Sequence, residues 1–207
     1  MKTVKMLSTA FTIMLATLSL TATAASAHTW LVGGSEVTSR TADESLALNM
    51  LFENVDEGYA MACSYATKGY VNAEGKGEIT SIKGETGSNV ISCSLDQSSL
   101  ECKSMVSVEA KNLPWHTELA TVSGELRNTI TIGSSAAWIV KCHEAGGGLR
   151  ENVCSAASSA DITNAIGGVE ETYHESPKTK CLVDGGNALS TSGTELLRTL
   201  TGNLSAK

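Results

Sequence analysis

Strict alternation of apolar side chains with polar or small ones recurs along this chain of 207 residues and constrains its fold more than any other feature. In one run Tyr59, Met61, Cys63 and Tyr65 would face one side, while the small residues between them would face the other. Period-two patterning over four to eight residues is typical of half-buried β-strands. The same pattern recurs at residues 106–111, 126–132 and 138–142. In the second of these runs Asn128 is the one polar residue on the apolar side.

Glycine-rich turn clusters separate these runs, at residues 33–35, 84–88, 146–148 and 184–187. Glycine supplies the positive φ that tight turns need, and Asn and Asp tolerate it. Many short strands with regular turns predict an all-β fold, an antiparallel β-sandwich or barrel, rather than βαβ units.

At most one or two short helices are expected, and residues 158–166 and 194–200 could each form one. Residues 43–54 could form a helix or a strand, and we favour the strand. Such a strand would carry Leu46, Leu48, Met50 and Phe52 on one face.

The amino terminus has the features of an export signal. Lys2 and Lys5 precede an apolar stretch over residues 6–20, and Ala25-Ser26-Ala27 fits the small-x-small cleavage rule. The stretch is too short and too rich in threonine for a transmembrane span, which needs roughly 20 apolar residues. We therefore predict that residues 1–27 form a signal peptide and residues 28–207 a single secreted, extracellular domain without a membrane span. The 146–148 loop is the one place where a subdivision could fall.

The charge of the chain argues against some partners. The formal net charge is −7, and it becomes −9 without the signal peptide because that segment holds two lysines and no acid. An acidic chain without a basic run is a poor partner for nucleic acid or anionic lipid. The scarcity of aromatic residues, at 4%, also leaves little for a platform that stacks bases or sugars. The partner expected from the sequence is an unknown molecule outside the cell or in its envelope.

All six cysteines follow the predicted signal peptide: Cys63, Cys93, Cys102, Cys142, Cys154 and Cys181. An even number in an exported chain predicts three disulfides, because thiols are oxidised outside the cytoplasm. Cys93 and Cys102 bracket a short polar turn, and we expect them to pair.

The other four cysteines could pair in two ways. One is Cys142–Cys154 with Cys63–Cys181, and the other is Cys63–Cys142 with Cys154–Cys181. We favour the second, because Cys63 and Cys142 both occupy core-facing positions of predicted strands. A zinc site around Cys142 and Cys154 lacks the paired C-x2-C spacing of such sites.

The stretch Leu113-Pro114-Trp115-His116-Thr117-Glu118-Leu119 resembles a segment of uncharacterised secreted proteins of high-GC Gram-positive bacteria, which have no established activity. Residues 29–32 and 77–82 and the Cys93 and Cys102 pair are similar too. The resemblance implies export and a small β-rich fold, and it transfers no functional residue. On physical grounds Pro114 should end or bulge the preceding strand, and Trp115 should pack over the core.

His28 would be the first residue after cleavage of the signal peptide. A terminal amine and the imidazole of the same residue can chelate copper, and His116, His143 or His174 could add a second imidazole. Such a copper site, with His28 and His116 as candidate ligands, resembles that of secreted copper monooxygenases, which also use disulfide-bearing β-sandwiches.

Motifs of hydrolases are missing. The chain has no G-x-S-x-G segment, and His143-Glu144 lacks the second histidine of a zinc protease. Glu170 and Glu171 are neighbours, so on a strand they would face opposite sides and could not act as a catalytic pair. The sequence therefore favours a non-enzymatic structural or recognition domain that needs no cofactor. The alternative is a copper-dependent oxidoreductase that uses His28.

Overall fold

The computed structural model describes residues 28–54, 57–84, 86–130, 135–173, 179–180 and 188–207, which contain sixteen strands and one 3-10 turn. The predicted signal peptide lies outside these residues. The strands are β1 (Trp30–Val32), β2 (Ser35–Glu36), β3 (Thr41–Asn54), β4 (Tyr59–Val71), β5 (Lys76–Gly84), β6 (Cys93–Gln97), β7 (Ser104–Lys111), β8 (Trp115–Val122), β9 (Glu125–Ile130), β10 (Ala137–His143), β11 (Leu149–Ser155), β12 (Ser158–Ala165), β13 (Gly168–Tyr173), β14 (Thr179–Lys180), β15 (Ala188–Thr199) and β16 (Leu204–Ala206). The 3-10 turn spans Ala73–Gly75, between β4 and β5.

Eight of these strands form a closed antiparallel barrel. The ring runs β3, β4, β5, β8, β9, β12, β13 and β15, and β15 pairs with both β13 and β3. The ring follows chain order, with the other strands inserted between its members or added at the chain ends. The predicted all-β class is confirmed, as a barrel. An eight-stranded barrel has an interior that side chains just fill or that holds one small ligand.

A three-stranded sheet of β7, β10 and β11 covers one end of the barrel. Its Trp138 packs edge-on against Phe52 and Trp115, with ring centroids 5.4 Å and 4.9 Å apart. Val108, Val140 and several barrel residues are buried in the same cluster. Trp115 is therefore the packing anchor that its sequence context predicted, and Pro114 lies between β7 and β8 as expected.

A second sheet, of β1, β2 and β16, brings the two ends of the described chain together at the other end of the barrel. Trp30 is fully buried there among Val71, Leu119, Leu197 and other apolar residues of the barrel. The two apolar clusters contact different parts of β8, since Trp115 begins that strand and Leu119 lies further along it. Between the clusters the barrel interior contains a polar layer.

Both segments that could have been helices are strands. Residues 158–165 form β12, and residues 194–199 belong to β15. In each case the strand pairs with a neighbour on both edges. The backbone N–H and C=O groups therefore form hydrogen bonds to neighbouring strands of the barrel, whereas in a helix they would bond within the segment. The preferred strand over residues 43–54 is confirmed as β3. Residues 146–148 lie in the turn between β10 and β11.

The protein contains disulfides as predicted, but two of the favoured pairings, Cys93–Cys102 and Cys63–Cys142, are wrong. Cys63 bonds to Cys93, and Cys102 bonds to Cys142. Strand β6 pairs with β4 and places Cys93 directly opposite Cys63. The two observed bonds exclude Cys93–Cys102 and Cys63–Cys142, and they also exclude the alternatives Cys142–Cys154 and Cys63–Cys181.

Cys154 is also disulfide-bonded. Because Cys181 lies outside the described residues, the pairing of Cys154 with Cys181 stays a prediction.

Candidate functional site

Two large apolar side chains lie exposed on the outer wall of the barrel, both on β3. Leu46 is 49% exposed and Leu48 is 56% exposed, whereas Met50 is buried. The change of face is caused by a bulge: Asn49 has a φ of 54°, and the register between β3 and β4 shifts between Ala47 and Met50. The backbone N–H of Asn49 donates to Ser64 Oγ at 3.1 Å and holds the bulge in place. The prediction of one continuous apolar face along this strand is therefore wrong.

Leu46 belongs to a row of side chains that crosses four strands and is apolar at every position but the last, and we call it the apolar row. Leu196 of β15 lies opposite Leu46, Leu46 lies opposite Ala66 of β4, and Ala66 lies opposite Lys83 of β5. Three strand spacings make this row roughly 14 Å long.

A polar row runs beside it, with cations at two of its four positions. Arg198 lies opposite Glu44, Glu44 lies opposite Lys68, and Lys68 lies opposite Ser81. Arg198 and Lys68 flank Glu44, and Lys83 of the apolar row is a third cation nearby on β5. This part of the surface is locally basic on a protein whose net charge is negative.

The two rows form a surface depression that we call the outer-wall groove. Its volume is about 580 Å³, and it is lined mainly by Leu46, Leu48, Ala66, Lys68, Ser81 and Lys83. A second depression, which shares Leu46, Ala66 and Lys68 with the groove, reaches Leu196 and Arg198. Small-molecule sites typically enclose roughly 300–1,000 Å³ and combine apolar walls with a few polar groups. The groove has both the size and the composition of such a site.

Inside the barrel, two carboxylates meet in the polar layer. Glu171 of β13 lies directly opposite Glu195 of β15, and their exposed fractions are 2% and 6%. The Tyr173 hydroxyl lies 3.2 Å from Glu171 Oε2 and 2.9 Å from Glu195 Oε1. Asn128 donates to Glu171 Oε1 at 2.8 Å, and Ser45 donates to Glu195 Oε2 at 3.2 Å.

Burial shifts the acid–base properties of this layer. Burial, followed by the charge of Glu195 and a hydrogen bond with it, raises the pKa of Glu171 well above its ordinary value. Burial and the charge of Glu195 also raise the pKa of Asp43 to about 7. Burial and the nearby carboxylates raise the pKa values of Tyr65 and Tyr173 as well. The layer therefore favours protonated acids.

One cavity inside the barrel, lined by described residues, is small. A cavity of about 30 Å³ lies between the polar layer and the covering sheet, next to Tyr65, Trp138, Tyr173 and Glu195. A cavity of this size holds one or a few water molecules. This cavity is too small for an organic ligand, and the outer-wall groove offers more space.

The structure separates the histidines of the copper hypothesis. The His28 imidazole lies 2.7 Å from the Thr121 hydroxyl, near the end of β8. His116 lies five residues earlier on that strand, roughly 17 Å away, and points to the opposite face. His143 ends β10, whose Trp138 packs near the start of β8, and His174 lies outside the described residues. His28 and His116 are therefore not brought together, and copper binding through His28 stays a prediction.

Within the described ranges no group of three or more His, Cys, Asp or Glu side chains could hold a metal ion. The same residues include no helix long and apolar enough to cross a membrane. Comparison of the chain with protein-family models, curated proteins and solved structures finds no match.

Sequence reasoning missed both the groove and the carboxylate pair. One sign of the pair was visible, since Asn128 interrupts an apolar face and is the residue that binds Glu171. The expectation that Glu170 and Glu171 face opposite sides is confirmed: Glu170 is exposed and Glu171 is buried. The partner of Glu171 is Glu195, on a strand distant in sequence.

Proposed function

We propose that this chain is an exported, non-enzymatic recognition domain that binds a single-chain anionic amphiphile, such as a medium-chain fatty acid, in the outer-wall groove. The observation that carries the proposal is the bulge at Asn49, which turns Leu46 and Leu48 outward beside Lys68 and Lys83. Export is supported by the predicted signal peptide and by the disulfides, which persist in oxidising compartments.

The chemistry of the ligand follows from the two rows. The apolar row gives an acyl chain roughly 14 Å of surface, and Lys83 ends it where a carboxylate could be paired. The negative net charge argues against binding to an anionic lipid surface, which needs an extended basic face. A single carboxylate needs only the local cations of the groove.

The expected affinity is modest. Burying one side of about ten methylene groups contributes about 4 kcal/mol, at half of the full value for each group. An exposed ion pair with Lys83 or Lys68 adds at most about 1 kcal/mol. The sum corresponds to a Kd of about 0.2 mM.

Calorimetric titration of the purified protein with dodecanoate tests this proposal. We expect Leu46→Ser and Lys83→Glu each to weaken binding at least about fivefold, which is about 1 kcal/mol. Leu200→Ser is the matched control, because Leu200 is 74% exposed and does not line the groove. Dodecyltrimethylammonium, which reverses the charge of the headgroup, should bind more weakly than dodecanoate. Equal binding of the two amphiphiles, or equal effects of Leu46→Ser and Leu200→Ser, would refute the proposal.

A further inference from the structure

The contact between Glu171 and Glu195 is unfavourable unless a proton is shared. The two residues are direct partners across the β13–β15 pairing, and both are buried. Like charges directly opposite each other on neighbouring strands oppose pairing, and burial strengthens the repulsion. The pairing therefore requires that one of the two acids be neutral.

The hydrogen bonds lead to the same proton count. The Tyr173 hydroxyl contacts one oxygen of each glutamate. A hydroxyl has one hydrogen, so it donates to one carboxylate and can only accept from the other. The shorter contact, at 2.9 Å, assigns the donated hydrogen to Glu195. The contact with Glu171 Oε2 is then a hydrogen bond only when Glu171 carries a proton.

The neighbouring strands offer no described cation that could replace this proton. Among the described side chains, Asp43 of β3 and Tyr65 of β4 are the other titratable groups near the pair, and both are acids. β9 contributes Asn128, and the interior positions of β5, β8 and β12 carry uncharged residues. Arg127 of β9 points outward and forms an ion pair with Asp161.

We propose that one proton shared among Glu171, Tyr173 and Glu195 holds β13 and β15 together, and that the barrel opens between these strands when a rise in pH removes it. This inference does not depend on ligand binding in the outer-wall groove. It describes a pH-sensitive opening built into the closure of the barrel.

The direction of the pH dependence follows from the linkage between proton binding and stability. The pKa of Glu171 is raised in the folded protein, so its contribution to stability is complete below the unfolded value near 4.5 and is lost as pH rises through the folded value. Between these two pKa values, the loss of one proton on opening raises the equilibrium constant for opening by up to about tenfold per pH unit. Asp43 acts in the same direction, but only up to its folded pKa of about 7. Above that pH the remaining dependence reports on the pair.

Hydrogen exchange followed by mass spectrometry tests the proposal between about pH 7.5 and pH 9.5, with rates corrected for base-catalysed intrinsic exchange. In the wild-type protein we expect opening at β13 and β15 to increase toward about tenfold per pH unit, while β4 and β5 change less. Glu171→Gln should remove this increase, because its amide donates to Tyr173 without titrating. Glu170→Gln is the matched control, since Glu170 is exposed on the same strand and should leave the increase intact.

A pH-independent opening in the wild type, or an unchanged increase in Glu171→Gln, would overturn the proposal. If Glu171→Gln does not fold, difference infrared spectroscopy of the wild-type protein decides the question. A carbonyl stretch of a protonated carboxylic acid at about pH 8.5 supports the shared proton, since an ordinary Glu and Asp43, with its pKa of about 7, are both ionised there. Absence of that band refutes it.

Discussion

Trp30 closes one end of the barrel, and replacing it with alanine should destabilise the protein severely. The side chain is fully buried between the β1–β2–β16 sheet and the barrel residues Val71 and Leu119. Its indole N–H donates to the carbonyl of Gly75 at 3.1 Å. Trp30 therefore contributes both apolar packing and the hydrogen bond of a buried polar group.

The expected loss follows from these two contributions. Replacement of a buried Trp with Ala typically costs about 3–5 kcal/mol. Trp30→Phe keeps much of the packing but leaves the Gly75 carbonyl without its donor, which costs about 1–3 kcal/mol. At roughly 2–4 °C per kcal/mol for a domain of this size, Trp30→Ala should lower Tm by roughly 6–20 °C.

Urea unfolding followed by far-ultraviolet circular dichroism measures these losses without relying on tryptophan fluorescence. Leu200→Ala is the control for loss of an exposed apolar side chain, and it should change stability by less than about 0.5 kcal/mol. A loss below about 1 kcal/mol in Trp30→Ala would show that this end of the barrel is not closed by packing. Equal losses in Trp30→Ala and Trp30→Phe would contradict the division between packing and hydrogen bonding.

Two further predictions concern the disulfides and export. Replacing both Cys63 and Cys93 with serine should lower the free energy of unfolding by about 3.6 kcal/mol, because their bond closes a loop with a sequence separation of 30. Urea unfolding measures this loss. A much smaller loss would show that the bond does not form. Protein recovered from the culture medium should begin at His28 and weigh about 6 Da less than its reduced form. Peptide mapping should find a peptide that links Cys154 to Cys181. Protein retained in the cell with Met1 and free thiols would contradict export.

The strands and many of their buried faces could be predicted because alternation is a local property. Tyr59, Met61 and Cys63 face the core as expected, and so do Trp138 and Val140. Period two in the sequence corresponds directly to the two faces of a strand.

The disulfides could not be predicted because pairing depends on which strands become neighbours. A short loop favoured Cys93–Cys102, but β6 adds to the edge of β4 and places Cys93 opposite Cys63. The exposed leucines escaped prediction for a related reason. The bulge at Asn49 depends on a hydrogen bond to Ser64 of the paired strand, and a shift of one residue reverses the face of every later side chain.

The carboxylate pair depends on barrel closure. Glu171 and Glu195 are distant in sequence, and only the pairing of β13 with β15 brings them together. Asn128 alone showed from the sequence that part of the interior is polar.

We propose that an anionic amphiphile binds on the outer wall of this barrel and not in its interior. Nuclear magnetic resonance of the protein with spin-labelled dodecanoate tests it most directly, because the label broadens only the signals of nearby residues. We predict broadening at Leu46, Ala66 and Lys83, in the outer-wall groove. Broadening centred on Trp138 and Tyr173 inside the barrel, or the absence of localised broadening, would refute binding in the outer-wall groove.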